Sequence, residues 1–288
     1  MEEAIRGEVS QRQSRLGAGD WLALALLAVA FGPGLIALEK TWASVEYYSH
    51  GYFVPAIAVL LAWREREVLH AIPPVRSPLG LFLLAAVLAG YGLGVAAGLV
   101  EVQGVGIVAA VAAAVLWLRG PAWLRVLAFP IAYLIFMVPL PDAWIQPLIL
   151  QLRLLVTVVA VALLHAFEIP VLREGNVIAL PNGESLFVAD ACSGVTSLVT
   201  LTPLAFLVAE LTERSRWKRI VIVLSVVPIA LLFNLVRVLG TVVAAQYVGA
   251  ERATADGLHE VAGVISYAVA CLSLLGVGSW LRRIRPQA

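Results

Sequence analysis

Cys192 is the residue of this chain whose type and position best fit covalent chemistry. It stands in the sequence Asp-Ala-Cys-Ser-Gly (190–194), where a polar stretch meets an apolar segment that predicts a helix. A thiol at a helix N-terminus meets the positive end of the helix dipole and unpaired backbone N–H groups. These lower its pKa toward the reactive thiolate and can bind a developing oxyanion. Cysteine is also a common buried apolar residue, so a packing thiol is the competing interpretation.

A second candidate is an arginine inside an apolar segment. Arg237 follows Asn234 in Phe-Asn-Leu-Val-Arg (233–237), and a charge within a membrane helix costs about 2.5–3.5 kcal/mol on insertion scales, so function is the default explanation. Counted from Arg219 at about 1.5 Å per residue, it lies about 27 Å along the helix, near the far boundary of a bilayer. Asn234 shares its helical face and can help to satisfy it. The alternative is an arginine that only reaches toward lipid headgroups.

A third candidate is His259, which opens the last apolar segment in Gly-Leu-His-Glu-Val-Ala-Gly (257–263). Near a membrane boundary an imidazole can reach water and transfer protons near neutral pH, although a lone interfacial histidine is often only structural. Cys192, Arg237 and His259 come from three separate segments and reach one leaflet, which no packing requirement explains. We therefore expect their side chains to converge on a cavity open to one face. Cys271, surrounded by apolar residues, fits packing alone.

Other kinds of site find little support in the sequence. The remaining histidines, His50, His70 and His165, have no metal-ligand spacing with each other or with a cysteine, so no metal is expected. The sequence contains no serine nucleophile elbow, P-loop or dinucleotide fingerprint, so no cofactor is expected. With a net charge of +1 and no basic run interleaved with aromatics, nucleic acid is not a predicted partner.

The elements that must position these residues are membrane helices. Of 288 residues 61% are hydrophobic and 14% charged, against about 25% charged in soluble domains, and mean hydropathy is +0.93. A hydrocarbon core about 30 Å thick needs about 20 apolar residues per helix. We predict an all-α polytopic fold, a single transmembrane domain over residues 1–288. Its spans, about eight, lie near 21–38, 48–63, 78–97, 101–118, 122–140, 191–211, 217–247 and 259–281.

The distribution of positive charge predicts which ends face the cytoplasm. Lys and Arg cluster before the first span, after the second and fourth, in the loop at 211–219 and at the C-terminus, and all fall on one side if the eight spans cross. That side is then the cytoplasm, so residues 1–20 form a cytoplasmic tail and both termini lie inside. The opposite loops 98–101 and 141–143 carry no Lys or Arg.

Two further segments complete the predicted fold. The apolar segment 144–167 would break the charge parity if it crossed, so we expect it to lie in the outer interface or to dip in as a re-entrant hairpin. The alternative is a ninth span whose Arg153 reaches toward the headgroups. The polar stretch 169–190 contains the strand-like run Asn176-Val177-Ile178-Ala179-Leu180, followed by a Pro-Asn-Gly turn at 181–183. Together they predict a small extracytoplasmic β-hairpin directly before Cys192.

Taken in order, these motifs resemble the exosortase/archaeosortase family of polytopic membrane enzymes, from about residue 45 to residue 280. The matching stretches are Tyr48-Ser49-His50-Gly51-Tyr52, Val138-Pro139-Leu140-Pro141, Arg173-Glu174-Gly175-Asn176-Val177-Ile178, Ala191-Cys192-Ser193-Gly194, Asn234-Leu235-Val236-Arg237, and His259 with Gly263. Each alone is weak, but their ordered combination is specific. Asp190 departs from the glutamate that is more common in the family, and it keeps a carboxylate at that place.

The resemblance implies a membrane-embedded cysteine protease or transpeptidase, with Cys192 as nucleophile, His259 as general acid and base, and Arg237 as stabiliser of the oxyanion. The supporting positions are His50, Asp190, Ser193, Gly194 and Asn234. The implied substrates are exported proteins whose C-terminal tail has a short motif such as Pro-Glu-Pro, one transmembrane helix and a basic cytoplasmic end. The implied location is the bacterial inner membrane, with the lipid bilayer around the bundle, the site at the outer face and room for a separate periplasmic partner protein.

Two other classes of protein compete with the transpeptidase. A transporter or a lipid-handling protein would also use an intramembrane arginine among broken helices. Against it, the polar candidates gather at one interface, and the two halves of the chain do not mirror each other in hydropathy. A structural scaffold in exopolysaccharide export leaves Arg237 unexplained. The residues therefore favour the enzyme.

Overall fold

The computed structural model describes residues 17–187, 194–254 and 256–283, with the backbone alone at 256–260. Within this part the chain divides into two compact units on either side of Leu140. The α-helices of the first unit are α1 (Ala18–Ala30), α2 (Gly32–Ser44), α3 (Phe53–Arg64), α4 (Arg66–Ala71), α5 (Pro78–Ala96), α6 (Val100–Arg119), α7 (Pro121–Val126) and α8 (Ala128–Tyr133). Two 3-10 helices, Glu46–Tyr52 and Leu134–Met137, join them.

The second unit consists of long helices around a small sheet. Its helices are α9 (Asp142–Ala166), α10 (Val195–Thr212), α11 (Arg216–Val248), α12 (Ala250–Thr254) and α13 (Asp256–Arg283). Its strands are β1 (Leu172–Glu174), β2 (Val177–Ala179) and β3 (Ser185–Phe187). The strands pair antiparallel in the order β1-β2-β3, with Ile178 opposite both Arg173 and Leu186. The predicted hairpin is thus confirmed as β2–β3, and β1 adds a third strand.

The predicted all-α membrane fold is confirmed. Within the described residues, six helices are long and apolar enough to cross a membrane, and the pair α1–α2, bent by 46°, makes up to seven. The bend falls where Gly32 and Pro33 begin α2, because proline cannot continue the hydrogen bonding of the preceding helix. This number agrees roughly with the eight predicted spans.

Two of the predicted spans are shorter or more broken than expected. The segment 48–63 forms a helix only from Phe53 on, and the 12 residues of α3 extend for about 18 Å. The segment 122–140 divides into α7, α8 and the second 3-10 helix. Inside the segment, Pro130 has no N–H to donate to the preceding turn. Before it, Gly120, with φ of 88°, and Pro121 separate the segment from α6.

These short pieces nevertheless connect the two ends of the first unit. At one end, the indole of Trp123 donates to the carbonyl of Ile72 at 3.1 Å. At the other end, the Tyr48 hydroxyl accepts from the N–H of Leu140 at 2.9 Å. The chain from 121 to 140 therefore runs antiparallel to α3 and packs against it.

Close backbone contact also determines the shape of the first unit. Helices α5 and α6 form a tight antiparallel pair, and a Cβ atom placed on Gly80 would lie 2.2 Å from the backbone nitrogen of Trp117. Only glycine permits that approach. The pair shows how the many small residues in this chain serve helix packing, as is usual in membrane bundles.

The segment expected to avoid crossing the membrane is one continuous helix. Helix α9 has 25 residues, so a re-entrant hairpin is wrong, because such a hairpin needs a turn in its middle. The helix is also among the six that are long and apolar enough to cross, which keeps the ninth-span alternative open. Its second half packs on the sheet and on the last turns of α11 through buried apolar residues: Val156, Ala160, Val161, Leu164, Val171, Ile178, Leu180, Leu186, Val238, Val242 and Ala245.

Candidate active site

Three helices of the second unit carry the candidate residues to one end of a bundle. Helices α10, α11 and α13 share a core of small and branched residues: Leu201, Ala205, Val208, Ala209, Ile222, Val226, Ala230, Ala270, Leu274 and Leu281. The helices alternate in direction, because Lys218 at the start of α11 donates to the carbonyl of Leu281 near the end of α13 at 2.7 Å. The start of α10, the later turns of α11 and the start of α13 therefore lie at the opposite end.

The first close approach at that end joins the start of α10 to α11. Gly194 precedes α10 as its N-cap with φ of 84°, a left-handed conformation that favours glycine. A Cβ atom there would lie 3.4 Å from the side-chain nitrogen of Asn234, whose side chain is buried with 4% exposed. Gly194, directly before α10, thus lies against Asn234 of α11.

The second close approach joins α11 to α13. A Cβ atom on Gly263 would lie 3.1 Å from one Nη atom of Arg237 and 3.2 Å from its Cζ. The guanidinium of this half-buried arginine therefore rests against the backbone of α13, in space that a larger residue at 263 would occupy. Position 259 lies four residues earlier on α13, which is the same face of the helix one turn nearer its start.

These two close contacts, Gly194 with Asn234 and Gly263 with Arg237, place α11 next to both α10 and α13. Asn234 and Arg237 are three residues apart and share one face of α11, and this face meets Gly194 on one side and Gly263 on the other. Cys192 is two residues before Gly194, and His259 is one turn before Gly263. The backbone of the second unit thus brings the three segments together.

The structure describes only part of the predicted site. Cys192, Asp190 and Ser193 lie outside the described residues, as does the side chain of His259, whose backbone belongs to α13. The convergence of the three side chains on one cavity therefore stays a prediction. Arg237 reaches the backbone of a neighbouring helix, which is more than the lipid-facing alternative requires.

His50, one of the predicted supporting residues, and Cys271, the second cysteine, lie in different surroundings. In the first unit, the ring nitrogens of His50 lie 3.0 Å from the carbonyl oxygen of Phe136 and 3.1 Å from that of Tyr47. His50 thus links the two 3-10 helices, and its supporting role in the site stays a prediction. Cys271 packs against the core shared by α10, α11 and α13, as a small apolar residue does.

Charged residues gather at the end of the bundle away from Arg237. Lys218 forms a buried ion pair with Glu213 at 3.8 Å, and Arg219 pairs with Glu210. These pairs connect the end of α10 to the start of α11. Arg237 lies five turns further along α11, so these two carboxylates belong to a separate cluster. The described residues contain no group of three or more metal-ligating side chains.

Two close contacts of the second unit were not predicted from the sequence. One is the contact of Gly263 with Arg237, since Gly263 was noticed only as part of a motif. The other is the contact of the Glu184 carboxylate with the start of α12. A glycine one helical turn from a candidate histidine could have suggested a close approach. A carboxylate next to a Pro-Asn-Gly turn has no comparable signal, because its partner lies 66 positions away.

Comparison with known proteins identifies the family. A family model described as transmembrane exosortase matches residues 42–276, which covers most of the chain and extends over both units. The chain therefore belongs to the transmembrane exosortase family, and the resemblance seen in the motifs is confirmed. No curated protein and no solved structure matches the chain. The matched range includes Cys192, Arg237 and His259.

Proposed function

We propose that this membrane exosortase is a cysteine transpeptidase that cleaves the C-terminal tails of exported proteins. The observation that carries the proposal is the position of the Arg237 guanidinium against Gly263, one turn from His259. The same face of α11 contacts Gly194, two residues from Cys192. A nucleophile, a proton carrier and a cationic hydrogen-bond donor thus come from segments that meet, which is the minimum set for acyl transfer.

The first half-reaction forms a thioester. His259 accepts the proton of the Cys192 thiol, and the thiolate sulfur attacks the carbonyl carbon of the scissile peptide bond. The negative charge moves to the carbonyl oxygen, where Arg237 donates hydrogen bonds to it. When the tetrahedral intermediate collapses, the C–N bond breaks, and the leaving amine takes the proton from His259.

The second half-reaction releases the product. An acceptor amine, or water, attacks the thioester carbonyl and gives its proton to His259. The C–S bond then breaks, and the sulfur takes up a proton again. An amine acceptor completes transpeptidation, whereas water completes proteolysis. The same three side chains serve both halves because each half passes through an oxyanion at the same place.

The proposed substrate carries its own transmembrane helix. Several apolar side chains on the outer faces of α11 and α13 are highly exposed: Leu224, Val227, Leu232, Val236, Val261, Val264 and Leu272. These faces contact lipid in a membrane protein. They could also hold the substrate helix alongside the bundle, which would keep the cleavage site at a fixed height.

The acyl-enzyme can be trapped chemically. With an exported protein that ends in a short motif, an apolar span and a basic tail, we expect neutral hydroxylamine to divert the reaction to a product with a C-terminal hydroxamate. The reason is that hydroxylamine attacks thioesters readily as an amine acceptor. Intact-mass analysis should also show a fragment attached to Cys192 that hydroxylamine removes. A product with only a free carboxylate, and no adduct, would mean that water attacks directly and would contradict the thioester.

We also propose that the sheet and the candidate site face outward, with both termini in the cytoplasm of a bacterial inner membrane. Helix α11 has 33 residues, about 50 Å, and begins in a basic stretch. Its last turns therefore extend past a hydrocarbon core of about 30 Å. The second half of α9 packs on those turns, which supports its placement at the outer interface.

Cysteine labelling tests this orientation. The sequence has two cysteines, so Cys192→Ala with Cys271→Ala provides a cysteine-free background. There we expect Ser185→Cys to react with an impermeant maleimide added to intact cells and Ser215→Cys to react only after permeabilisation. The two positions lie beyond opposite ends of α10, so they serve as controls for each other. The reverse pattern would overturn the orientation and the outer placement of α9 together.

A further inference from the structure

The turn between β2 and β3 is tied to the start of α12 by one carboxylate. Glu184 accepts a hydrogen bond from the backbone N–H of Ala250 at 2.7 Å. A Cβ atom on Gly249 would lie 3.5 Å from its other oxygen. Asn182 holds the carboxylate in place, since its amide donates to Glu184 at 3.1 Å and accepts from the Glu184 N–H at 3.1 Å. These two hydrogen bonds with Asn182 hold Glu184 in the orientation that reaches the start of α12.

The two segments joined by this contact lead directly to two candidate catalytic residues. From Glu184 the chain passes through β3 and reaches Cys192 after eight positions. From Ala250 it passes through α12 and reaches His259 after nine positions. The apolar core shared by α10, α11 and α13 holds these three helices together. The Glu184–Ala250 hydrogen bond is a separate link, which joins the segment leading into α10 to the segment leading into α13.

An apolar contact accompanies this polar one. Ala253 of α12 is buried with 2% exposed, and it belongs to the cluster that includes Ile178 and Leu186 of the sheet. That cluster keeps α12 on the sheet when Glu184 is replaced, because apolar burial is not directional. Hydrogen bonds are directional. Loss of Glu184 should therefore leave the fold intact and loosen the placement of the turn.

We propose that Glu184 is a positioning residue, which holds the approach to Cys192 and the approach to His259 at a fixed separation through the N–H of Ala250. This inference rests on the proposed function. Small displacements of reacting groups reduce catalytic rates strongly. Glu184 therefore acts on the chemical step and has little effect on substrate binding, which the bundle faces provide.

Cleavage kinetics of the purified full-length protein test the proposal. We expect Glu184→Ala to lower kcat about tenfold with KM nearly unchanged. Glu184→Gln should retain most of the rate, because its amide oxygen still accepts from Ala250. Ala250→Pro removes the donor at the first position of a helix, where proline is well tolerated, and should reproduce the loss. Glu184→Ala combined with Ala250→Pro should be no slower than either single variant.

The matched control is Glu251→Gln, which removes an equal charge at the start of α12 and should keep the wild-type rate. If Cys192→Ala is inactive while Glu184→Ala and Ala250→Pro cleave at the wild-type rate, the positioning role is overturned and the proposed function stands. If Cys192→Ala still cleaves, both are overturned. An effect on KM alone would also contradict positioning. Should Glu184→Ala fail to fold, Ala250→Pro decides the question.

Discussion

Replacement of Cys192 by alanine is expected to abolish tail cleavage, lowering the rate by at least about 1000-fold, as removal of a covalent nucleophile does. Cys192→Ser should be nearly as slow, because a hydroxyl is a much weaker nucleophile than a thiolate. Substrate and product differ in length by the removed tail, so gel mobility or mass spectrometry of the exported protein measures the effect directly.

The second cysteine of the chain provides the matched control. Cys271 lies on α13 and packs against the shared helix core, so Cys271→Ala should retain full activity and lose about 1 kcal/mol of stability at most, as for removal of a small apolar group. Full activity of the Cys192 variants would remove the covalent mechanism. Loss of activity in Cys271→Ala, with the fold intact, would show that the wrong cysteine has been assigned.

Changes at Arg237 are expected to have the next largest effect. Arg237→Gln should lower kcat by about 100-fold to 1000-fold, the usual loss when one donor to an oxyanion is removed. Arg237→Lys keeps the charge but loses the planar arrangement of donors, so we expect an intermediate rate. An arginine that only reaches toward headgroups would behave differently, because lysine would then replace it fully. Steady-state kinetics in detergent distinguish the two.

Gly263 allows the same contact to be tested from the opposite helix. A methyl group at 263 would lie 3.1 Å from the Arg237 guanidinium, so Gly263→Ala should displace the guanidinium and lower kcat by roughly tenfold. Gly276→Ala is the control on the same helix, since a Cβ atom there has no neighbour within 4 Å among the described residues. Equal activity of the two glycine variants would contradict a catalytic position for Arg237.

The ordered motifs predicted the family although each alone is short. Residues 190–194, 233–237 and 257–263 each contain one chemically capable side chain, and a set of three in this order has few explanations other than a site. The position of Arg237 along its membrane helix was also predicted from the sequence, because an α-helix advances by a constant rise per residue. Arg237 could thus be placed far from the basic start of its helix before any contact was known.

The contacts of these residues could not be predicted in the same way. The guanidinium of Arg237 rests on Gly263, and Asn234 meets Gly194, because α11 lies between α10 and α13 with one particular rotation about its axis. That rotation depends on how the core residues of all three helices pack together. The Glu184–Ala250 hydrogen bond likewise depends on the docking of α12 on the sheet.

By itself, the sequence determined the membrane class, the nine apolar segments, the small hairpin and the order of the candidate residues. These follow from hydrophobicity and local periodicity, which add up residue by residue along the chain. Only the tertiary structure decided that α3 is short, that the segment 122–140 is broken, that α9 is one continuous helix and that a third strand joins the hairpin. The physical reason is that helix ends, strand partners and glycine contacts depend on neighbours distant in sequence, whose packing is set jointly rather than locally.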